Sequence, residues 1–166
     1  MAIIDGMLQE LEQEARTTRR VLERIPDDQL GWRPHAKART LGELAMHVAV
    51  IPGALAQLIA SPSPAQIGNF TDPVPKDTSE LISALDESIA KAKKVLGGMG
   101  DDAVVATWRL MRGERELLAV PRIAMLRSVM LNHWYHHRGQ LTVYLKELDV
   151  PIPSIYGPSA DEDPFA

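Results

Sequence analysis

Helical periodicity interrupted by clear stops is the feature that most limits what this chain can become. Four stretches space their apolar residues three and four positions apart, which gathers them on one face of an α-helix. The first covers residues 3 to 25, with Ile4, Met7, Leu8, Leu11, Ala15, Val21, Leu22 and Ile25 set among Glu and Arg, and Pro26-Asp27-Asp28 ends it. The second opens at Thr40-Leu41-Gly42-Glu43, where the Thr hydroxyl and the Glu carboxylate can each satisfy an exposed amide. Leu44, Val48, Ile51, Leu55 and Leu58 form its apolar stripe, and Pro52 within it removes an amide donor and crowds the Val48 carbonyl, predicting a kink beyond His47. The third begins at Asp77-Thr78-Ser79-Glu80, carries Leu81, Leu85, Ile89, Ala92 and Leu96, and stops at Gly97-Gly98. Pro121 suits the first position of the fourth, which extends to about Leu148, a length of about 40 Å.

The connections are long. Residues 26 to 39 hold Trp32, Pro34 and His35 without a sustained period, and Trp32 reads as a cap over one end of the helices. Ser61 to Lys76 carries Pro62, Pro64, Pro73 and Pro75, and reads as a stiff crossover between distant ends rather than a lid. Between Met99 and Val120 the helical period lapses, and the segment around Gly113 suits extended structure. The tail from Val150, with Pro151, Pro153 and Pro158, is expected to pack loosely. The expectation is an all-α four-helix bundle with long inter-helix loops, forming one domain over residues 1 to 166.

Composition narrows the chemistry. There is no cysteine, so the chain has no disulfide, no thiolate nucleophile of its own and no sulfur-rich zinc site. Any metal must be held by nitrogen and oxygen. The net charge is −4 without a dense Lys/Arg block, which argues against a nucleic-acid partner. The start, Met-Ala-Ile-Ile-Asp-Gly, does not read as a signal peptide, and the apolar run from Leu44 to Ala60 reads as too short and too interrupted to span a bilayer. A cytoplasmic location is expected. Neither a Gly-rich phosphate loop nor a Gly-x-Ser-x-Gly elbow is present.

The chemistry concentrates in Leu131-Asn132-His133-Trp134-Tyr135-His136-His137-Arg138-Gly139-Gln140-Leu141. On a helix, His133 and His137 are one turn apart and in phase with Ile123, Leu126, Met130, Leu141, Tyr144 and Leu148. Two imidazoles buried side by side need a shared partner, which a metal supplies while both stay neutral. His47, on the apolar stripe of the second helix, is the candidate third ligand, although a single histidine there also suits a hydrogen-bonded core residue. His136 is rotated away from the pair and is a poor ligand, suiting an interface instead. Asn132 and Gln140 are candidates to orient water or an imidazole, and Arg138 to bind an anionic substrate; each also has a plain structural reading. Glu43 could act as an outer base, but its capping role explains it more simply.

Together, the Leu-Gly-Glu-Leu-Ala-Met-His47-Val-Ala segment, the Asn132-His133 pair, His136-His137-Arg138-Gly139-Gln140-Leu141, Trp32-Arg33-Pro34 and the Val150-Pro-Ile-Pro-Ser-Ile-Tyr tail resemble the DinB family of bacterial metal-binding helical bundles. The resemblance covers nearly the whole chain. It implies a four-helix bundle of unusual connectivity, often a homodimer, with one divalent metal on His47, His133 and His137. Zinc or nickel suits such a nitrogen set, with iron as a further candidate. Related bundles include metal-dependent transferases and isomerases that use a low-molecular-weight thiol. The resemblance therefore points to a metal-dependent thiol transferase or hydrolase acting on a small electrophile. The alternatives are a non-catalytic metal-binding stress protein and a helical dimerisation module.

Overall fold

The computed structural model describes residues 2–69 and 71–166. Its long helices are α1 (Ile3–Leu22), α2 (Leu41–Ala60) and α3 (Thr78–Leu96). The fourth helical stretch is composite: a short α5 (Arg122–Met125), a π-helical segment Leu126–Asn132, and α6 (His133–Glu147). A short α4 (Asp101–Val105) precedes two strands, β2 (Thr107–Arg112) and β3 (Arg115–Pro121), and β1 (Ala65–Gln66) lies in the crossover.

The helix starts follow from local chemistry. At α2 the Thr40 amide donates to Glu43 Oε2 at 2.7 Å and the Glu43 amide donates to Thr40 Oγ1 at 3.1 Å, closing both halves of the capping box. Glu43 is therefore committed to the cap. At α3 the Asp77 carboxylate accepts from the Glu80 amide at 3.0 Å. The buried faces of α1 and α2 join α3 and the last helical stretch in one hydrophobic cluster, to which Leu11, Leu41, Leu81, Leu126 and Trp134 contribute fully buried side chains.

The all-α expectation needs correction. β1, β2 and β3 form a three-stranded sheet in that order, β1 parallel and β3 antiparallel to β2. The extended segments expected around Gly113 are this hairpin. Gly113, at φ +58°, takes the first position of its two-residue turn, where a positive φ is required. Trp108 and Leu110 alternate inward and are buried, while Arg109 pairs with Glu116 on the outside. Ala65 of β1 is buried as well, and Leu118 and Val120 of β3 pack against the core, an alternation of period two that helical spacing does not reveal. The sheet seals one end of the bundle: Trp108 Nε1 donates to the Ser61 carbonyl at 3.2 Å, and Arg122 donates to the carbonyls of Ile59 and Ser61, covering the C-terminus of α2. Pro121 correspondingly ends β3 and caps the next helix instead of opening it.

α2 is long and apolar enough to cross a membrane by length and composition, contrary to the sequence reading, but two-thirds of its apolar window is buried among the other helices. That burial has a close crossing within it. A Cβ on Gly53 would stand 2.7 Å from the Ser88 carbonyl oxygen of α3, so only glycine allows this approach. The Gly53 amide donates to Ser88 Oγ at 2.8 Å, and that hydroxyl donates to the Val50 carbonyl.

Pro52 leaves the Val48 carbonyl without its usual helical donor, and Trp134 Nε1 donates to that oxygen at 2.8 Å in a fully buried bond. The tail is also better anchored than its composition predicts. Ser154 is buried, its carbonyl accepts from Arg20, and Lys146 pairs with Asp161 at 2.9 Å. Trp134→Phe is expected to lower unfolding free energy by about 1–3 kcal/mol, because it strands a buried carbonyl. The shift is read from the denaturant midpoint, and an unchanged midpoint would show that water replaces the indole.

Candidate metal centre

α2 and α6 run antiparallel across the core, tied where Trp134 reaches Val48. The residues just before these two, His47 and His133, therefore face each other, and His137 follows one turn along α6. One nitrogen from each ring lies within 4.8 Å of the others. His133 Nε2 and His137 Nε2 are 2.8 Å apart, and the His47 ring stands 5.4 Å and 4.8 Å, centroid to centroid, from those of His133 and His137. The three histidines singled out by spacing are thus brought together.

Their outer nitrogens decide the tautomers. His47 Nδ1 lies 2.6 Å from Asp72 Oδ2, and since a carboxylate only accepts, the ring donates there. Nε2 of His47 is left as the free lone pair. His137 Nδ1 lies 2.7 Å from Gln140 Oε1, an amide oxygen that likewise accepts, so its Nε2 is also unprotonated. The Val129 carbonyl, one turn before His133, favours a proton on that ring, although the buried His133 Nδ1 falls outside hydrogen-bond geometry. With the proton on Nδ1, His133 adds a third Nε2 lone pair. Three neutral nitrogen donors aimed at one point fit a divalent metal ion, and this group could bind one.

Electrostatics supports the neutral state. Burial pushes the His137 imidazole down to about 4, with the neighbouring histidines adding to the effect and the Gln140 contact opposing it. His133 is lowered in the same sense, first by burial and then by the charge of a protonated His47. Burial alone would raise the Asp72 carboxyl, but the hydrogen bond to His47 and the charges of His47 and Arg39 outweigh it and hold the group ionised.

The histidines occupy the wall of a cleft of about 600 Å³ between α2, α6 and the crossover. The His47 side chain keeps 12% of its exposure, and His133 and His137 are half-buried. They therefore stand at the margin of the core rather than within it. Uniform α-helical winding would align them with Leu126 and Met130. The π segment holds more residues per turn, so the core-facing line passes from Leu126 and Met130 to Trp134, Arg138, Leu141 and Leu145, and the histidines turn toward the cleft.

Of the other candidate residues, Gln140 lines the cleft and orients His137. Asn132 is exposed on the last helical stretch, outside the cleft lining. Arg138 is displaced from the expected role altogether. It is 1% exposed, faces α1, pairs with Glu14 at 2.6 Å and donates to Thr18 and to the Tyr156 hydroxyl. His136 is exposed, its ring 5.0 Å from that of His137. Trp32 packs edge-on against Tyr144 at 5.6 Å, near the Arg39 end of the cleft.

Two residues beside the histidines escaped the sequence reading. Asp72 lies in the proline-rich crossover, where Asp-Pro reads only as a turn, and Arg39 precedes the capping threonine with no periodicity to mark it. They lie 3.8 Å apart beside His47.

The sequence matches the DinB family over residues 3–163. The chain belongs to the DinB family. It is 24% identical over 159 residues to the uncharacterized protein YrdA of Bacillus subtilis, an alignment covering 96% of this chain and 91% of that one. The fold is similar to that of a DinB-like protein from Bacillus cereus, with a TM-score of 0.74, 22% identity, and 93% and 98% of the two chains covered. A DinB-like protein from Bacillus subtilis is similar at a TM-score of 0.65 and 19% identity, covering 87% of this chain and 93% of that one. These likenesses establish a mostly helical DinB-like fold into which the small sheet is built.

Because His133 and His137 titrate lower folded than unfolded, the unfolded chain binds more protons between about pH 4 and the ordinary histidine value near 6.5. Their contribution to stability is complete above that value and is lost as the pH falls toward 4. Thermal unfolding of metal-free protein is expected to shift to lower temperature across this window, and the shift should shrink in His137→Gln.

Proposed function

We propose that this DinB-family protein is a metal-dependent enzyme in which His47, His133 and His137 hold one divalent ion, zinc or nickel in preference to iron. Its substrate is a small electrophile, attacked by an external low-molecular-weight thiol or by water. The observation that carries this reading is the placement of the three nitrogen donors on the wall of an open cleft rather than inside the packed core. A metal held by three such donors would keep coordination positions open for a further ligand, the pattern of a catalytic site. Such an ion supplies one kind of chemistry, lowering the pKa of a coordinated thiol or water so that an anionic nucleophile exists near neutral pH. The chain has no cysteine, so a thiol nucleophile must come from outside.

The chain's own residues position and polarise. Asp72 fixes the His47 tautomer and adds to the basicity of its free nitrogen, and Gln140 does the same for His137 with a neutral acceptor. Arg39 lines the cleft beside them and faces negative charge on a substrate or leaving group. Residues of the apolar wall, Leu44, Ile51 and Val129 among them, exclude water from the face opposite the polar groups.

Elemental analysis of untagged protein tests the ligand set. About one equivalent of a single metal is expected in the wild type, with loss in His47→Ala, His133→Ala or His137→Ala, while His35→Ala keeps it. Equal metal content across all four variants would overturn the assignment. Asp72→Asn should retain the site but weaken metal affinity by roughly 10–100-fold, as loss of an outer carboxylate partner does elsewhere. A competition titration with a chromophoric chelator measures this. Wild-type protein that holds metal yet consumes neither thiol nor electrophile would favour a non-catalytic metal-binding role.

A further inference from the structure

The cleft is strongly segregated. All of its charged and imidazole groups belong to one connected cluster: His133 contacts His137, His137 contacts Gln140, the His137 ring stands 4.8 Å from that of His47, His47 contacts Asp72, and Asp72 faces Arg39. The Tyr144 hydroxyl joins the same group by donating to the Arg39 carbonyl at 3.3 Å. The rest of the wall is apolar, formed by Leu44, Val50, Ile51, Leu55, Ile67 and Val129 with Ala54 between them.

The two regions also follow one another in space. Because α2 runs antiparallel to the last helical stretch, with Val48 bonded to Trp134 and Ile59 to Arg122, the residues beyond His47 along α2 face those before His133. Ile51, Ala54 and Leu55 thus stand opposite Val129, and Arg39 stands near Tyr144 at the other end. From His47 to Leu55 the apolar wall extends about 12 Å along the helix axis. The histidine tier lies between this apolar arm and the arginine.

Charge fixes the sign of the head group. Arg39 and Asp72 offset each other and three neutral imidazoles add no charge, so a divalent ion held there would supply the remaining positive charge and favour an anionic oxygen where the polar cluster meets the cleft. On this basis we propose that the cleft selects amphiphiles with an apolar body and one carboxylate-like head, with the head at the histidine and Arg39 cluster and the body along Ile51, Leu55 and Val129. The proposal rests on the metal-site reading above. It adds the ligand class: an amphiphile of this shape rather than a compact, fully polar compound. Volume agrees, since about 600 Å³ far exceeds what a small polar anion needs and lies within the ordinary range for ligands with an apolar body.

Calorimetric titration of zinc-loaded protein with acetate, butyrate, hexanoate and octanoate tests the assignment. Affinity should rise roughly three- to fourfold with each added methylene, the gain expected when a methylene leaves water for an apolar wall. Ala54→Phe, which fills the apolar arm, should erase the chain-length gain, and Val50→Phe serves as a second variant if the first fails to fold. Arg39→Gln should weaken octanoate binding at least tenfold while leaving octanol binding unaltered. Octanoate binding no tighter than acetate by metal-retaining wild type, or a chain-length gain that survives in a folded Phe variant, would overturn the proposal. Failure of the underlying metal reading shows separately, as wild-type protein without metal in the elemental analysis.

Discussion

The hydrogen bond from the Trp134 indole to the Val48 carbonyl is the constraint on which the rest of the site depends. Pro52 creates the need for it by withholding the amide that would close the helical bond to Val48. A buried carbonyl without a partner costs about 1–3 kcal/mol, so α2 is stable in this place only with the indole beside it. The consequence is geometric as well as energetic. His47 immediately precedes Val48, and His133 immediately precedes Trp134, so a bond that sets the separation of the two helices also sets the separation of two of the clustered imidazoles. The proline that looks like a helix defect is the device by which α2 and α6 are brought into register.

A second buried interaction holds the opposite face of α6. Arg138 is enclosed by the Tyr135 and Tyr156 rings, at 5.3 Å and 5.2 Å from their centroids, and pairs with Glu14 of α1. Desolvating two charges is costly, and such a pair is not in itself a source of stability. Its value lies in direction: guanidinium, carboxylate and two hydroxyls accept one arrangement, so α6 cannot rotate about its axis without stranding a charge. Rotation is the motion that would carry His133 and His137 away from His47. Tyr156, 72% exposed, reaches in from the tail to complete this arrangement, which explains why a proline-rich C-terminal segment lies ordered against α1.

The helices and the three clustered histidines were legible because each rests on local, periodic chemistry. Capping boxes, apolar spacing and an i, i+4 histidine pair can be read one turn at a time. The role of Arg138 was not, since a single arginine beside a histidine pair suits a substrate contact as well as a buried ion pair, and only Glu14, 124 positions away, decides between them. Asp72 was obscured for the same reason: its partner is 25 residues distant in the chain and the crossover carries no period. The sheet was anticipated only as extended segments, because its pairing across Gln66 and Met111 is set by tertiary packing.

The π segment marks the limit of phase arguments most clearly. Counting at 3.6 residues per turn puts His133 and His137 in line with Leu126 and Met130, and so predicts a buried pair. The i→i+5 winding of Leu126–Asn132 instead lets Trp134 and Arg138 inherit the core-facing line, which frees the histidines to face the cleft. Had the helix remained regular, the same imidazoles would have been buried, with no route for a substrate to reach a metal held between them. A departure from ideal helix geometry immediately before His133 thus places the imidazoles where a molecule in the cleft can approach them.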